Sequence, residues 1–300
     1  MGRDNWLADK FRRGLTRISP MLNTKVTYRV KFHKKLDLKN PKTLNEKIQW
    51  LKFNTYYNNP LVKQCADKYA VREYIENCGL GRILNDLIAA YDSPDAIEWD
   101  KLPDQFALKL NVGCGFNHIV FDYKKEDRAK LKKEVKRWFR EGRTQWLGYS
   151  EMQYRDVRPY ALVERFLGNA ENHSAPEDYK VYCFNGKPTY VMVCEGREKD
   201  HLPKYYFVDR EWNLARINRD SKNAPEGFTI PKPKCEEELF RAAEVLSKPF
   251  PFVRADFYIY EDRVIFGELT FTPGGGMDTA RLPETDILMG SLLTLPYQRR

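Results

Sequence analysis

One stretch of the chain reads Phe252-Val-Arg-Ala-Asp-Phe-Tyr-Ile-Tyr-Glu-Asp-Arg-Val-Ile-Phe-Gly-Glu-Leu-Thr-Phe-Thr-Pro-Gly-Gly-Gly276. Apolar residues alternate with other residues over 252–259 and again over 264–271, with a short polar interval between the two runs. This period of two predicts a β-hairpin, and the glycines after Pro273 predict a turn that follows it. We therefore expect two antiparallel strands here, closed by the glycine turn.

Charged side chains lie inside these otherwise apolar strands. Arg254 and Asp256 share one face of the first strand, and Glu268 and Thr270 share one face of the second. If the loop between the strands has an odd number of residues, Asp256 and Glu268 lie on the same face, where two carboxylates can hold Mg²⁺ through oxygen. The alternative is a cross-strand ion pair between Arg254 and Glu268, with Asp256 near water. Either arrangement would offset the cost of burying charge.

A second candidate site is a glycine loop between two predicted strands. Lys109 lies on the strand predicted over 106–110, the loop reads Gly113-Cys-Gly-Phe-Asn117, and the second strand is predicted over 118–123. Backbone N–H groups at adjacent glycines can approach an anion closely, and a lysine adds a point charge. Because the spacing is not that of a P-loop and the loop leads to a strand, a plain turn is the alternative.

The remaining patterns predict a mixture of helices and strands. Asp67-Lys68 opens a helix predicted over 66–76, where capping by the aspartate and a solvated lysine is the ordinary interpretation. Other helices are predicted over 5–18, 44–53 (after the capping box of Thr43 and Glu46), 127–141 and 236–247, and a short one from Pro60. Strands are predicted over 83–87, 161–166, 179–184, 188–194 and 205–208. Asn185-Gly186 is a hairpin-turn signal. The sequence therefore predicts an α+β fold with several antiparallel hairpins.

The order of these motifs resembles that of the ATP-grasp superfamily, and four phrases resemble its TupA-like branch, named for teichuronopeptide biosynthesis. The phrases are N-P-K-T-L-N-E-K-I-Q-W-L at 40–51, D-K-Y at 67–69, Y-C-F-N-G-K at 182–187 and F-G-E-L-T-F-T-P-G-G-G at 266–276. The resemblance runs from about Asn40 to Met277.

This resemblance implies an α+β ATP-grasp fold, in which a nucleotide is held between two α+β lobes with antiparallel sheets, preceded by a helical N-terminal region. The implied segments are a basic helical region at 1–55, a small lobe at 56–100, a lid lobe with the glycine loop at 101–165, and a C-terminal lobe with the magnesium site at 166–300.

The resemblance also implies which residues bind ATP. Two lysines would contact the phosphates, a flexible loop would close over them, and the end of a strand would contact the purine. These residues are Lys68 and Lys109 for the phosphates, Gly113, Gly115 and Asn117 for the loop, and Glu164 for the adenine amino group, with the backbone of Arg165 and Phe166.

By the same resemblance, Asp256 and Glu268 would bind Mg²⁺, and Arg254 would stabilise the transferring phosphoryl group. Lys180 would reach the phosphates or the acyl substrate, and Gly275 would offer its N–H to an acyl phosphate. The common superfamily ending is Glu-x-Asn. Thr270 stands in place of the asparagine and is a weaker metal ligand, so whether one or two Mg²⁺ ions bind stays open.

The implied activity is that of an ATP-dependent carboxylate–amine ligase acting through an acyl phosphate. In the resembling branch the acid would be a uronic acid of a surface or capsular polysaccharide, and the amine an amino acid or small amino alcohol. The alternatives are a kinase that phosphorylates a sugar hydroxyl, and a glycosyltransferase, although no Asp-x-Asp motif is flanked by strand signals. Segments 144–158 and 195–230 carry no motif and are where we expect the acceptor, with Arg197, His201 and Trp212 as candidates.

The positive charge of the chain is concentrated in its first residues. Residues 1–35 carry ten Lys or Arg and two acids, which is +8 of the formal net charge of +9. Trp6, Leu7, Phe11, Leu15 and Ile18 recur there at helical intervals. Such a helix either contacts an anionic membrane surface or packs on the body through its apolar face.

Other partner classes find little support in the sequence. No zinc, homeodomain or RNP pattern points to nucleic acid, and the six cysteines show no C-x-x-C spacing. There is no apolar run of the ~18 residues that a membrane span needs, and no signal-peptide pattern is present. We therefore expect a cytoplasmic protein, peripheral to the inner face of the membrane if residues 1–35 bind lipid.

Overall fold

The computed structural model of the chain describes residues 3–168, 176–195 and 203–296, with side chains from residue 6 onward. Arg197 and His201, two of the candidates for the acceptor, lie outside the described residues. Trp212, the third, is buried against the Phe240 ring, and its Nε1 donates to the Ile230 carbonyl at 3.2 Å. It is therefore part of the core.

Three helices form the N-terminal region: α1 (Arg3–Ile18), α2 (Pro20–Phe32) and α3 (Leu44–Asn54). The sequence patterns did not predict α2, which starts at Pro20 after the side chain of Ser19 accepts the Leu22 N–H. The capping box of Thr43 and Glu46 at the start of α3 is confirmed. The alternative in which α1 packs through its apolar face is wrong, because its polar side chains make the contacts with the body.

Two sequence-based boundaries in the next segment are wrong. The short helix predicted from Pro60 is α4 (Pro60–Ala66), but the helix predicted over 66–76 begins later, as α5 (Val71–Asn77), because the Asp67 carboxylate accepts the N–H groups of Tyr69 and Ala70 and stabilises a turn. The strand predicted over 83–87 instead lies at β1 (Leu87–Tyr91), where it can pair with residues 161–164 of another strand. A 3₁₀ turn at Gly81–Ile83 precedes it.

The first of the two sheets is antiparallel and has four strands. Its strands are β1, β2 (Phe106–Leu110), β3 (Asn117–Val120) and β4 (Ala161–Arg165), in the order β1-β4-β2-β3. Helix α6 (Arg128–Gly142) packs on it through Leu131, Val135, Trp138 and Phe139. Strand β1 comes from segment 56–100 but joins the sheet of segment 101–165; the division of the chain into segments stays a prediction.

A six-stranded antiparallel sheet forms the second layer. Its strands are β5 (Glu177–Phe184), β6 (Lys187–Glu195), β7 (Lys204–Val208), β8 (Leu214–Ala215), β9 (Phe252–Tyr260) and β10 (Arg263–Thr270), in the order β10-β9-β5-β6-β7-β8. Both predicted hairpins are present, and Asn185 and Gly186 have positive φ angles of 51° and 76°, as a type I′ turn requires.

The two faces of the six-stranded sheet differ in character. Helix α8 (Glu236–Ser247) covers one face, where Val253, Ala255 and the Cys183 thiol, which donates to the Ala243 carbonyl, are buried. The intervening residues of β5 and β9 must point to the other face. Two further helices complete the fold: α7 (Arg219–Asn223) contacts β7, and α9 (Pro283–Leu292) packs against α3. The charged face is thus left available for a site.

Candidate active site

Three charged residues lie side by side across β5, β9 and β10. Lys180 is paired with Asp256, and Asp256 is paired with Glu268, as opposite residues of neighbouring antiparallel strands. Opposite residues project their side chains to the same face of a sheet. The common face predicted for Asp256 and Glu268 is therefore present.

The cause of this register is a β-bulge and not the hairpin loop. Tyr260 pairs with Arg263, so only Glu261 and Asp262 lie between the strands, an even number. The register shifts between Phe266 and Glu268, and Gly267 is the extra residue.

The bulge needs glycine at position 267. A Cβ atom there would lie 2.9 Å from the Asp256 carbonyl oxygen, closer than real contacts allow. Without this bulge the pairing would place Gly267 opposite Asp256, and Glu268 would point to the other face of the sheet. One glycine therefore brings the two carboxylates together.

Lys180, Asp256 and Glu268 each lie close to a side chain of opposite charge. The Arg254 guanidinium donates to both oxygens of Asp256, from Nε to Oδ1 at 2.7 Å and from the terminal nitrogen to Oδ2 at 2.6 Å. Lys180 lies 2.5 Å from Asp178 and 3.2 Å from Asp256. The alternative is confirmed in its Arg254–Glu268 ion pair, a long one at 3.8 Å, and is wrong in placing Asp256 near water, because Asp256 is buried.

Glu268 receives its positive partner from a distant part of the chain. Lys68, in the turn between α4 and α5, places Nζ 3.0 Å from Glu268 Oε2, and the Thr270 hydroxyl donates to Oε1 at 2.9 Å. Burial by itself raises the pKa of the Glu268 carboxyl, but Lys68 and Arg254 outweigh it and lower this pKa to about 2. For Asp256 burial prevails, and its pKa is raised despite Arg254 and Lys180. The two carboxylates thus differ in how readily they hold a negative charge.

A second buried ion pair lies on the four-stranded sheet. Lys109 on β2 donates to Glu164 on β4 at 2.7 Å. Burial lowers the pKa of Lys109, but Glu164 overcomes it, so the net pKa is raised and the lysine is charged. Phe166 follows β4 and meets the Phe121 ring edge-on at 5.3 Å between centroids. Lys109, expected to contact phosphate, and Glu164, expected to contact the purine, are therefore in direct contact.

The glycine loop connects the two groups of charges. Lys68 Nζ donates to the Gly113 carbonyl at 2.9 Å while it also contacts Glu268. Gly113 and Gly115 have positive φ angles of 71° and 77°, which favour glycine. Gln145 accepts from the Cys114 N–H and donates to the Cys114 carbonyl. Asn117 begins β3 at the end of the loop.

The turn after β10 is held by residues that the motifs did not indicate. Gly274, Gly275 and Gly276 all have positive φ, and the Gln49 side chain donates to the carbonyls of Gly275 and Gly276 at 3.0 and 2.7 Å. A Cβ at Gly275 would lie 2.7 Å from the Tyr149 ring. Gln49 lies within the helix α3 phrase, but helical periodicity does not show that its amide reaches this turn.

Sequence reasoning also missed a half-buried carboxylate near this turn. Glu151 accepts from the Thr272 hydroxyl at 2.6 Å, and burial raises the pKa of its carboxyl. Lys52, which is fully buried, donates to the Tyr149 carbonyl at 2.9 Å, and burial lowers its pKa to about 7. Glu151 lies within segment 144–158, expected for the acceptor, but nothing in its sequence surroundings distinguishes it from a surface glutamate.

The donor set fits Mg²⁺ in kind, since Asp256 and Glu268 offer carboxylate oxygens on one face and Thr270 adds a hydroxyl. No group of three or more His, Cys, Asp or Glu side chains able to hold a metal occurs among the described residues. Phosphate oxygens would therefore have to complete the coordination. The cations now on the two carboxylates, Lys68, Arg254 and Lys180, are those that a polyphosphate would attract.

Known proteins are similar to this chain over most of the residues that form the candidate site. The family model described as TupA-like ATPgrasp matches residues 46–294. The chain is similar in structure to the D-alanine–D-alanine ligase from Bacillus anthracis complexed with ATP, at 15% identity and a TM-score of 0.45, over 76% of this chain and 61% of that one.

Two further solved structures are similar. One is the D-alanine–D-alanine ligase from Helicobacter pylori, at 14% identity and a TM-score of 0.41, over 78% of this chain and 59% of that one. The other is the ATP-grasp ligase PsnB complexed with a minimal precursor, at 12% and 0.39, over 78% and 64%. The chain spans less than two thirds of the length of each of these ligases. No curated protein matches it.

The family match includes the Asp67-Lys68 turn, the glycine loop and the hairpin with the two carboxylates, which are the features that the structure brings together. The resemblance expected from the sequence is thereby confirmed, and the chain belongs to the TupA-like ATP-grasp family and has its α+β fold.

Proposed function

We propose that the chain is an ATP-dependent carboxylate–amine ligase that acts through an acyl phosphate. The observation that carries the proposal is the convergence of Lys68, Arg254 and Lys180 on the opposed pair Asp256 and Glu268. Phosphoryl transfer to a carboxylate needs charge neutralisation and positioning and no protein nucleophile.

The reaction has two steps. A carboxylate oxygen of the acid attacks the γ-phosphorus of ATP, the bond to the β,γ-bridging oxygen breaks, and ADP leaves. The amine then attacks the acyl carbon, the bond from that carbon to the phosphate oxygen breaks, and phosphate leaves as the nitrogen loses a proton. The products are an amide, ADP and phosphate.

Residues of both sheets, of the glycine loop and of the turn at Lys68 would bind ATP and Mg²⁺. Lys109 and Lys68 bind the phosphates, with the loop of Gly113 and Gly115 closing over them, and Glu164 and Phe166 contact the purine. When bound between Asp256 and Glu268, Mg²⁺ neutralises charge on the phosphates. The Lys68 ammonium contacts the Gly113 carbonyl and Glu268, and its third N–H can donate to a phosphate.

On the acceptor side, Arg254 stabilises the transferring group, Lys180 binds the phosphates or the acid, and the N–H of Gly275 holds the acyl phosphate. We propose a uronic acid of a surface polysaccharide or its precursor as the acid, and an amino acid or amino alcohol as the amine. This choice rests on the resemblance to the TupA-like branch. A kinase acting on a sugar hydroxyl would use the same cations.

The test is a measurement of ADP release with candidate uronic acids and amines, added separately and together. Release that requires both supports the ligase, whereas release that needs only a hydroxyl acceptor contradicts it and supports the kinase. Glu268→Gln should lower ADP release at least about a hundredfold, because it removes an anionic oxygen ligand. Glu236→Gln on α8 is the matched control, since Glu236 is also ion-paired, with Arg210, but lies outside the candidate site.

A second variant tests the register and not the carboxylate itself. Gly267→Ala leaves both acids in place but forces the bulge to move away from the Asp256 carbonyl. We expect a loss of ADP release comparable to that of Glu268→Gln, with the cooperative unfolding transition retained. Activity near that of the parent protein in both variants would show that the opposed carboxylates are not the metal site.

A further inference from the structure

Helix α1 is attached to the body through its polar side chains. The Arg13 guanidinium donates to the Thr144 carbonyl at 2.8 Å, and the Thr16 hydroxyl donates to the Leu147 carbonyl at 2.7 Å. Asp9 accepts from Arg13 at 2.5 Å and lies on the same side of the helix. These contacts occupy the face of α1 that points to the body.

Helix α2 is attached in the same way. Asn23 is fully buried, and its amide donates to the hydroxyls of Thr16 and Ser150 at 2.8 and 3.0 Å. Thr24 is buried as well and accepts from the Lys52 ammonium at 3.1 Å. Buried and satisfied hydrogen bonds of this kind fix the orientation of both helices.

As a consequence, most of the apolar side chains of α1 point away from the protein, while Leu15 is half-buried. Trp6, Leu7, Phe11 and Ile18 are 55, 54, 61 and 78% exposed. Leu7, Phe11 and Ile18 are four and seven residues apart, so they form one stripe along the helix. Among the described residues, nothing covers this stripe.

Positive charge borders the stripe. Lys10 and Arg17 are seven residues apart and exposed on one side of it, and the Lys10 ammonium lies 5.1 Å from the centroid of the Trp6 ring. On α2, the exposed residues include Lys25 and Arg29. An exposed apolar stripe with lysine, arginine and tryptophan at its margin is the pattern of a helix that lies in a membrane interface.

We propose that the outer face of α1, formed by Trp6, Leu7, Phe11, Ile18, Lys10 and Arg17, docks on the surface of an anionic lipid bilayer. No helix among the described residues is long and apolar enough to cross a membrane, so the contact is a peripheral one. The proposal does not depend on the ligase activity.

Charge complementarity selects this occupant. A second copy of the chain would bring the same strongly basic segment, with +8 over residues 1–35, into contact with itself. Nucleic acid would satisfy the charge but would leave the aliphatic and aromatic stripe in water. An anionic bilayer matches both features, with its headgroups facing the cations and its acyl boundary facing the stripe.

The test is co-sedimentation of the full chain with vesicles of phosphatidylcholine that contain about one third phosphatidylglycerol, compared with phosphatidylcholine alone. We expect binding to the anionic vesicles only, and much weaker binding at high salt, because screening shortens the reach of the charges. Leu7→Ser with Phe11→Ser, and separately Lys10→Glu with Arg17→Glu, should each weaken binding about tenfold or more. These side chains are exposed in the described structure, so the variants should fold.

Ile287→Ser is the matched control, since Ile287 is 57% exposed on α9 and should bind as the parent does. Equal pelleting of the parent and both double variants overturns the proposal, as does equal binding to neutral vesicles. Two other outcomes also overturn it: a dimer in light scattering that Leu7→Ser with Phe11→Ser abolishes, which makes the face an interface between copies, or binding to a single-stranded RNA homopolymer in place of the vesicles.

Discussion

Helices α1 and α6 carry nearly the same sequence pattern and are packed in opposite ways. Both are amphipathic, with lysines and arginines between apolar residues at helical spacing. In α6 the apolar residues are inside, and Trp138 is fully buried, whereas in α1 Phe11 is 61% exposed. Periodicity therefore predicts a helix and its two faces, but it does not show which face meets the protein.

The surfaces beneath the two helices explain the difference. Helix α6 lies over apolar residues of the four-stranded sheet such as Phe106 and Leu108. Helix α1 lies over a 3₁₀ turn at Gln145–Leu147, where the carbonyls of Leu147 and of the preceding Thr144 accept hydrogen bonds from Thr16 and Arg13. A surface of backbone carbonyls requires donors, since a buried acceptor without a partner costs free energy.

The most direct test of this comparison truncates one aromatic residue on each helix. Trp138→Ala in α6 should lower the free energy of unfolding by about 3–5 kcal/mol, because it leaves a cavity in the core. Phe11→Ala in α1 should change it by less than about 0.5 kcal/mol, as for other exposed residues. Urea unfolding followed by circular dichroism measures both. A loss of similar size in the two variants would mean that α1 buries its apolar face in solution.

The polar attachment of α1 and α2 is tested at Asn23. Asn23→Ala should cost about 1–3 kcal/mol, because it removes the donor shared by Thr16 and Ser150 inside a closed interface. Lys25→Ala, on the exposed face of the same helix, is the control and should cost less than about 0.5 kcal/mol. If Asn23→Ala unfolds at the same urea concentration as the control, the hydrogen bonds do not hold the helices.

The third prediction concerns how the free energy of unfolding depends on pH through Lys52. This lysine of α3 donates to Thr24 on α2 and to the Tyr149 carbonyl. Burial lowers the pKa of Lys52 from 10.5 to about 7, so between these values the unfolded chain holds a proton that the folded chain has released. The free energy of unfolding should therefore rise with pH above about 7, by about 1 kcal/mol from pH 7 to pH 8.

Lys52→Met should remove this slope, and urea unfolding at several pH values measures it. Lys25→Met, on the exposed face of α2, should leave the slope as it is in the parent. A slope that persists in Lys52→Met would show that another group releases the proton.

Much of the fold could be predicted from local patterns. The hairpin of β9 and β10, the hairpin turning at Asn185-Gly186 and the capping box at Thr43 follow from alternation, from a turn dipeptide and from a pair of residues three apart. Each of these signals is complete within a few residues, so no distant partner is needed to interpret it. The family resemblance rested on the same short phrases.

The wrong element boundaries occur where a residue that is distant in the sequence determines the local structure. The helix predicted over 66–76 starts late because of the turn at Asp67, and a distant residue also holds this turn: Asn111, on the loop after β2, donates its amide to the Asp67 carboxylate and accepts the Lys68 N–H at its carbonyl. The position of β1 depends on its pairing with β4. Neither partner is near in sequence, so propensity alone could not reveal them.

For the candidate site, the sequence by itself determined which residue types are present: two carboxylates, an arginine and a lysine on predicted strands, and glycines in a loop. Only the tertiary structure decided that Asp256 and Glu268 stand opposite each other, because the bulge at Gly267 shifts the register by one residue. It also decided that Lys68 reaches both Glu268 and the Gly113 carbonyl. The physical reason is that side-chain direction follows from local geometry, whereas partners are set by which distant strands and turns pack together.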